Sequence, residues 1–349
     1  MTTVRTQSPG DDTPSTEDTP STEDTPSTED APTTGKARKS TKARVLDVVR
    51  WVAILLVIGF AAKSLASNWD EFWHTLSDVA WQSSALSLVA LILSIMVSTW
   101  GWQILVDHLG KPIGYARGAQ ICLVGSLGKY VPGSVWAYLL QMELGRKAGL
   151  ARARIFTGSL IQLGVGVVSA LVVSLLAAPA VFSNSPRAMW LFVLIPVGLA
   201  LLHPRILTWG TSLVLKILRR PPLSEPLGWG VVLKTFGASM GAWVLQGVHL
   251  WLLANSVGAP GVNGLVLCVG AMAVAMTVGT FAFILPSGVG VREVAQVAVL
   301  TASGLTVGQA TAFAVASRVM FTVADLLTAG FAALAAKMAA RRAVPVDAA

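Results

Sequence analysis

The sequence predicts an all-α polytopic integral membrane protein of about eight hydrophobic segments, with two broken, re-entrant-like hairpins in an inverted repeat. Three observations predict it. Of 349 residues, 54% are hydrophobic and 13% charged, whereas a soluble domain carries about 25% charged residues, and the mean hydropathy is +0.65. Several apolar runs exceed the roughly 18 residues that mark a membrane-crossing helix. Two further runs are interrupted by Pro and Gly, in GKYVPGSVW at 128–136 and PSGVG at 286–290, where a continuous span would avoid both residues.

The charge is unevenly placed. Asp11 to Asp30 hold eight acidic residues and no basic one, whereas Val45 to the end holds 20 Lys or Arg against 10 Asp or Glu. Those cations sit in short segments between apolar runs, where they set orientation and meet lipid headgroups. Nucleic acid is thereby excluded as the expected partner, and membrane lipids, anionic or lipid-linked, take its place.

The elements follow in order. Residues 1–44 read as a disordered cytoplasmic tail, because the repeat DTPSTE at Asp12, Asp18 and Asp24 lacks the apolar surface to offset ordering; the tail could also engage a protein partner. The cluster Lys36, Arg38, Lys39, Lys42 and Arg44 keeps the N-terminus in the cytoplasm. The membrane domain covers 45–337. A first span, Val45 to Ala66, leads to an outer loop with Asp70, Glu71 and Asp78 between Trp69, Trp73 and Trp81. Gln82 to Val106 returns inward. Gly118 to Gln141, broken at Pro132 and Gly133, has basic residues on both flanks and so enters and leaves on the inner side.

Ile155 to Val181 crosses outward, a loop around Asn184 to Arg187 follows, and Met189 to Leu202 crosses back. Arg205, Lys216, Arg219 and Arg220 punctuate an interfacial helix that the two prolines at 221 and 222 end. Val231 to Val257 crosses outward. Val262 to Leu285 and Val291 to Gly304 form the second hairpin, broken at Pro286, Gly288 and Gly290, and Thr306 to Ala336 ends at the cytoplasmic cations Lys337, Arg341 and Arg342. The first arm of that hairpin reaches about 36 Å at helical rise and is long enough to span alone. Residues 338–349 form a short cytoplasmic tail. The unit of span, broken hairpin and span thus occurs twice, at about 82–181 and 231–336, with hairpins entering from opposite faces. Interrupted segments at corresponding positions of inverted halves point to a transport site near the bilayer midplane.

Cys122 and Cys268 lie inside apolar runs, and His74, His108, His203 and His249 show no metal-ligand spacing, so neither a metal nor a cofactor is expected. Walker A and HExxH patterns are absent from the sequence, which argues against an ATPase and a zinc protease. No catalytic residue is assigned.

The two broken segments, in GKYVPGSVWAYLLQMELGRKAGL and FILPSGVGVREVAQ, resemble the signature regions of the lysylphosphatidylglycerol synthase transmembrane, or flippase-like, family, over about Trp81 to Lys337. The resemblance implies a bacterial or archaeal integral protein of the cytoplasmic membrane tied to moving or modifying lipids. The full synthases carry a soluble aminoacyl-transfer domain after the membrane part, whereas this chain ends 12 residues beyond Lys337. A translocation-like role is therefore expected over lysyl transfer. The alternatives are a membrane subunit or enzyme of lipid or glycolipid modification, and a membrane scaffold.

Lys129 and Tyr130 at the first break, Arg292 after the second and Arg318 in the last segment are the candidate ligands of a lipid headgroup. Glu293, Asp325 and Glu143 are their candidate charge partners. Glu293 is expected to pair with Lys129 or Arg318, Asp325 shares a helix face with Arg318, and Glu143 is expected to pair with Arg146 at the cytoplasmic end of its segment.

Overall fold

The computed structural model describes residues 66–67, 69–131, 135–179, 193–217, 219, 223, 226–255, 257, 259–282 and 288–342. The acidic tail, the first span before Ala66, Pro132, Gly133, the loop around Asn184 to Arg187, Arg220 with the two prolines after it, Pro286 and residues 343–349 lie outside the described residues.

Among the described residues every element is helical. The order is α1 (Trp69–Asp78), α2 (Trp81–His108), α3 (Tyr115–Ala119) running into a π-helical turn (Gln120–Val124) and a 3-10 turn (Leu127–Tyr130), α4 (Trp136–Lys147), and α5 (Arg152–Ser174) with a 3-10 extension (Leu175–Ala177). Then come α6 (Leu194–Leu201), α7 (Pro204–Ile217), α8 (Trp229–Ala254), α9 (Gly261–Phe281), α10 (Val291–Ala302) and α11 (Val307–Arg342). Five of these are long and apolar enough to cross a membrane: α2, α5 with its extension, α8, α9 and α11 as far as Ala339. The protein is an all-α, multi-pass membrane protein.

Two expectations change. The segment around Asp70 and Glu71, expected as an outer loop, is a helix, α1, which buries Phe72 and Thr75 and leaves Trp69 and Trp73 exposed. Of the expected span from Met189 to Leu202, residues 189–192 lie outside the described residues, and α6 covers Leu194–Leu201. The expected count of eight segments is not reached among the described residues. In the second hairpin the first arm is no half-helix: α9 runs unbroken for 21 residues, about 31 Å at helical rise. Nothing in α9 before Phe281 is a proline, so its backbone ladder has no reason to break. The short arm is α10, with 12 residues.

α2 and α8 pair along their lengths. Ser87 meets His249, Ser94 donates its hydroxyl to the Ala242 carbonyl at 2.9 Å, Gly101 lies against Ala238, and His108 reaches the Pro226 carbonyl. Partners descend along one helix as residues ascend the other, so the two run antiparallel. Ser94 lies 13 residues after Trp81, and Ala242 lies 13 after Trp229. Equivalent positions of the two lead helices therefore meet at one point, as they must on a two-fold axis.

The other contacts repeat in the same sense: α5 packs on α8 as α11 packs on α2, α4 on α5 as α10 on α11, and α9 on α5 as the π-helical turn on α11. Antiparallel lead helices with this exchanged contact pattern are the geometry that an inverted repeat requires. The shared core holds Leu91, Leu250, Met272, Leu300 and Phe313 at 1% exposure or less. Small residues at the crossings let the helices approach, which matters because lipid is as apolar as the core.

Candidate functional site

The first break is built by local backbone choices. α3 widens into a π-helical turn at Gln120–Val124, tightens into the 3-10 turn at Leu127–Tyr130, and extends at Val131. A widened turn exposes carbonyls that a regular helix would use. Gly128 lets α4 return close beside it, because a Cβ there would lie 2.7 Å from the backbone of Trp136 and Ala137. This crowding puts Lys129 and Tyr130 at the rim of a cavity.

The second break is built on two left-handed glycines, Gly288 at φ 63° and Gly290 at φ 84°. Gly288 also packs against Gly279 of α9, where a Cβ would fall 2.7 Å from a carbonyl oxygen. α10 then begins, and the Glu293 carboxylate accepts the Gly290 N–H at 2.6 Å. An acidic group there also favours the positive end of the helix. Gly279 admits the Arg292 side chain on its far side.

The two breaks converge. A cavity of 480 Å³ is lined by Lys129 and Tyr130 from the first break, Gly288 and Arg292 from the second, and Arg318 and Asp325 from α11. Asp325 is 6% exposed, and its Oδ2 takes both the Lys129 ammonium at 2.6 Å and the Tyr130 hydroxyl at 2.6 Å. Arg318 donates to Glu293 Oε1 at 3.5 Å. Arg292 is 4% exposed, with its guanidinium 4.3 Å over the Phe321 ring and Nε 4.0 Å from Glu293 Oε1. Its Nε and Nη2 have no hydrogen-bond acceptor among the described residues.

Of the expected pairs, Glu293 with Arg318 forms. The alternative partner of Glu293, Lys129, goes to Asp325 instead, and Asp325 is thereby tied to the first break as well as facing the same cavity as Arg318. The two residues sit two turns apart on α11, so a partner from another element reaches Asp325 sooner than a long side chain folded back along its own helix. Glu143 stays out of the cavity. It lies near the end of α4, bridging Arg146 at 2.6 Å and Arg152 at 2.8 Å. Hydrogen bonds from Arg146 and then Arg152 hold its carboxyl down at about 2.

Several residues of this region had no signal in the sequence. Phe321, which carries the Arg292 guanidinium on its face, reads as one more aromatic in an apolar span. Gln246 also lines the cavity, and its Oε1 is buried without a donor among the described residues. His249, fully buried, links Ser87 at 2.6 Å to Ser317 at 3.0 Å and packs edge-on against Phe321. That chain of hydroxyl and imidazole ties α2, α8 and α11 beside the cavity. Among the described residues no group of three or more His, Cys, Asp or Glu side chains comes together as a metal site.

The family model described as "Lysylphosphatidylglycerol synthase TM region" matches residues 49–329. No curated protein matches the chain.

Proposed function

The chain belongs to the lysylphosphatidylglycerol synthase TM region family, and from that membership we propose that its membrane domain carries a phospholipid or lipid-linked headgroup across the cytoplasmic membrane. The observation that carries this reading is the meeting of Lys129, Arg292 and Arg318 around one cavity between the two halves. Cations from both interrupted segments then face one phosphate, while acyl chains remain in the bilayer. A volume of 480 Å³ lies within the range of about 300–1,000 Å³ typical of small-molecule sites. The exchange of exposure between the two faces would follow from the two-fold arrangement of the halves, as in other inverted-repeat carriers. With no nucleotide motif in the sequence, a gradient or a downhill lipid imbalance would drive it.

The test is reconstitution of the full chain in liposomes with headgroup-labelled phospholipids and a membrane-impermeant quencher. Wild type should accelerate exchange between leaflets, and Lys129→Ala and Arg292→Ala should each reduce it at least about ten-fold. Equal rates in protein-free and protein-bearing liposomes would overturn the reading.

The family description equally favours a second reading, a membrane subunit or enzyme that modifies a lipid. It predicts product formation by the purified chain, abolished by Glu293→Gln or Asp325→Asn with lipid binding retained.

A further inference from the structure

A single oxygen at the cavity wall gathers two donors. Asp325 Oδ2 accepts the Lys129 ammonium and the Tyr130 hydroxyl, each at 2.6 Å, and these are the two side chains that the first break places at the rim. An oxygen of a phosphate asks the same of an ammonium, a short charge-assisted bond. Carboxylate and phosphate are therefore rival acceptors for Lys129.

The rivals differ in what can move. The Asp325 side chain is 6% exposed, whereas that of Lys129 keeps 35%. Lys129 stands on a 3-10 turn that gives way to extended backbone at Val131, and its four-carbon stem is flexible. Asp325 is a short side chain in the middle of a 36-residue helix. An anion entering the cavity thus draws Lys129 off its partner and leaves Asp325 in place.

Resting on the headgroup-binding reading above, we infer that Asp325 is a resident stand-in for the ligand phosphate: it holds Lys129 while no headgroup is bound and yields it to the headgroup on binding. The Tyr130 hydroxyl stays on Asp325, so the buried carboxylate keeps a donor after Lys129 turns away. Asp325 touches no ligand and acts as a positioning residue. Its presence keeps the ammonium paired in both conditions, where an unpaired buried charge is strongly destabilising. It also weakens binding, because the form with Lys129 turned to the cavity is only a fraction of the population. Weak binding suits a site that has to release what it takes.

The experiment measures equilibrium binding of dihexanoyl phosphatidylglycerol to the purified full chain in neutral detergent. Asp325→Asn should bind it about ten-fold more tightly than wild type. In liposomes the same variant should half-saturate at a lower lipid content while its maximal exchange rate falls. A residue that only held helices together would weaken binding when replaced. Loss of one negative charge would tighten binding by itself, and a double-mutant cycle separates that effect. With Lys129→Met in place, Asp325→Asn should change affinity less than about two-fold, whereas a general field effect would persist in full and overturn the inference. Inorganic phosphate, the same chemistry without acyl chains, should bind wild type at least about ten-fold more weakly than the lipid; parity would overturn the lipid as the rival.

A measurement on wild type covers the case in which Asp325→Asn fails to fold. A membrane-permeant carbodiimide should join Asp325 to Lys129 through a zero-length amide in phosphatidylcholine liposomes, read by peptide mass spectrometry. The yield should fall at least about five-fold when about half the lipid is phosphatidylglycerol. An unchanged yield, or Asp325→Asn binding no more tightly than wild type, overturns the exchange of partners while headgroup binding stands. If wild type binds neither the lipid nor phosphate, the headgroup reading fails and this inference fails with it.

Discussion

At the scale of single residues, Arg292 separates a role in function from a role in folding. A buried guanidinium with unmet donors costs stability, and replacing such a group with an apolar side chain of similar volume is often neutral or stabilising. Arg292→Met should therefore keep or raise the melting temperature of the purified protein while lowering lipid movement at least about ten-fold. A melt that drops by several degrees would recast Arg292 as a packing residue.

Glu143 is the opposite case. Its carboxyl, held at about 2 against an ordinary 4.5, contributes stability that is present above its unfolded value and lost as pH falls through the folded one. Wild type should therefore lose melting temperature between about pH 4.5 and about pH 2, and Glu143→Gln should lose less over that window. Exposure of the carboxylate keeps the effect small at neutral pH. The residue types at these sites were legible in the sequence because ionisable groups within apolar runs stand out. Their partners were not, since helical spacing says which residues share a face and nothing about which neighbour arrives from elsewhere. Lys129 finding Asp325, 196 positions away, is a product of the fold.

At the scale of elements, the two breaks depend on different backbone features. Gly288 combines a left-handed φ with a close backbone neighbour, so Gly288→Ala should cost about 2–4 kcal/mol and reduce lipid movement with it. Gly128→Ala should destabilise through crowding against α4 alone. At Gly164 of α5 an added Cβ would meet nothing within 4 Å, and Gly164→Ala should leave the melt unchanged or raise it slightly. Thermal melts of the three variants, ranked against wild type, check the order. Pro-Gly punctuation made the breaks visible in the sequence. The π-helical turn at Gln120–Val124, which packs on α11, had no such mark in the sequence. The unbroken α9 agrees with the length of that arm, which already sufficed to span alone.

At the scale of the whole molecule, the tie between Lys129 and Asp325 joins the first break to α11, so the proposed exchange of exposure would alter it. With Cys122 and Cys268 replaced by Ala, cysteines at 129 and 325 joined by a short bifunctional thiol reagent should stop lipid movement, and each single cysteine treated alike should not. Continued movement in the cross-linked protein would rule out any opening between these elements. The doubled unit is an expectation from loop charge, whereas the meeting of Ser94 with Ala242 required the packed structure. That crossing has one more consequence. An inverted repeat of the kind the sequence predicts presents similar packing to either leaflet. Little in its helix interfaces then says which way up it stands, and the compass is left to the cations in the loops. Transplanting those few lysines and arginines from one set of loops to the other should let the same folded body insert upside down.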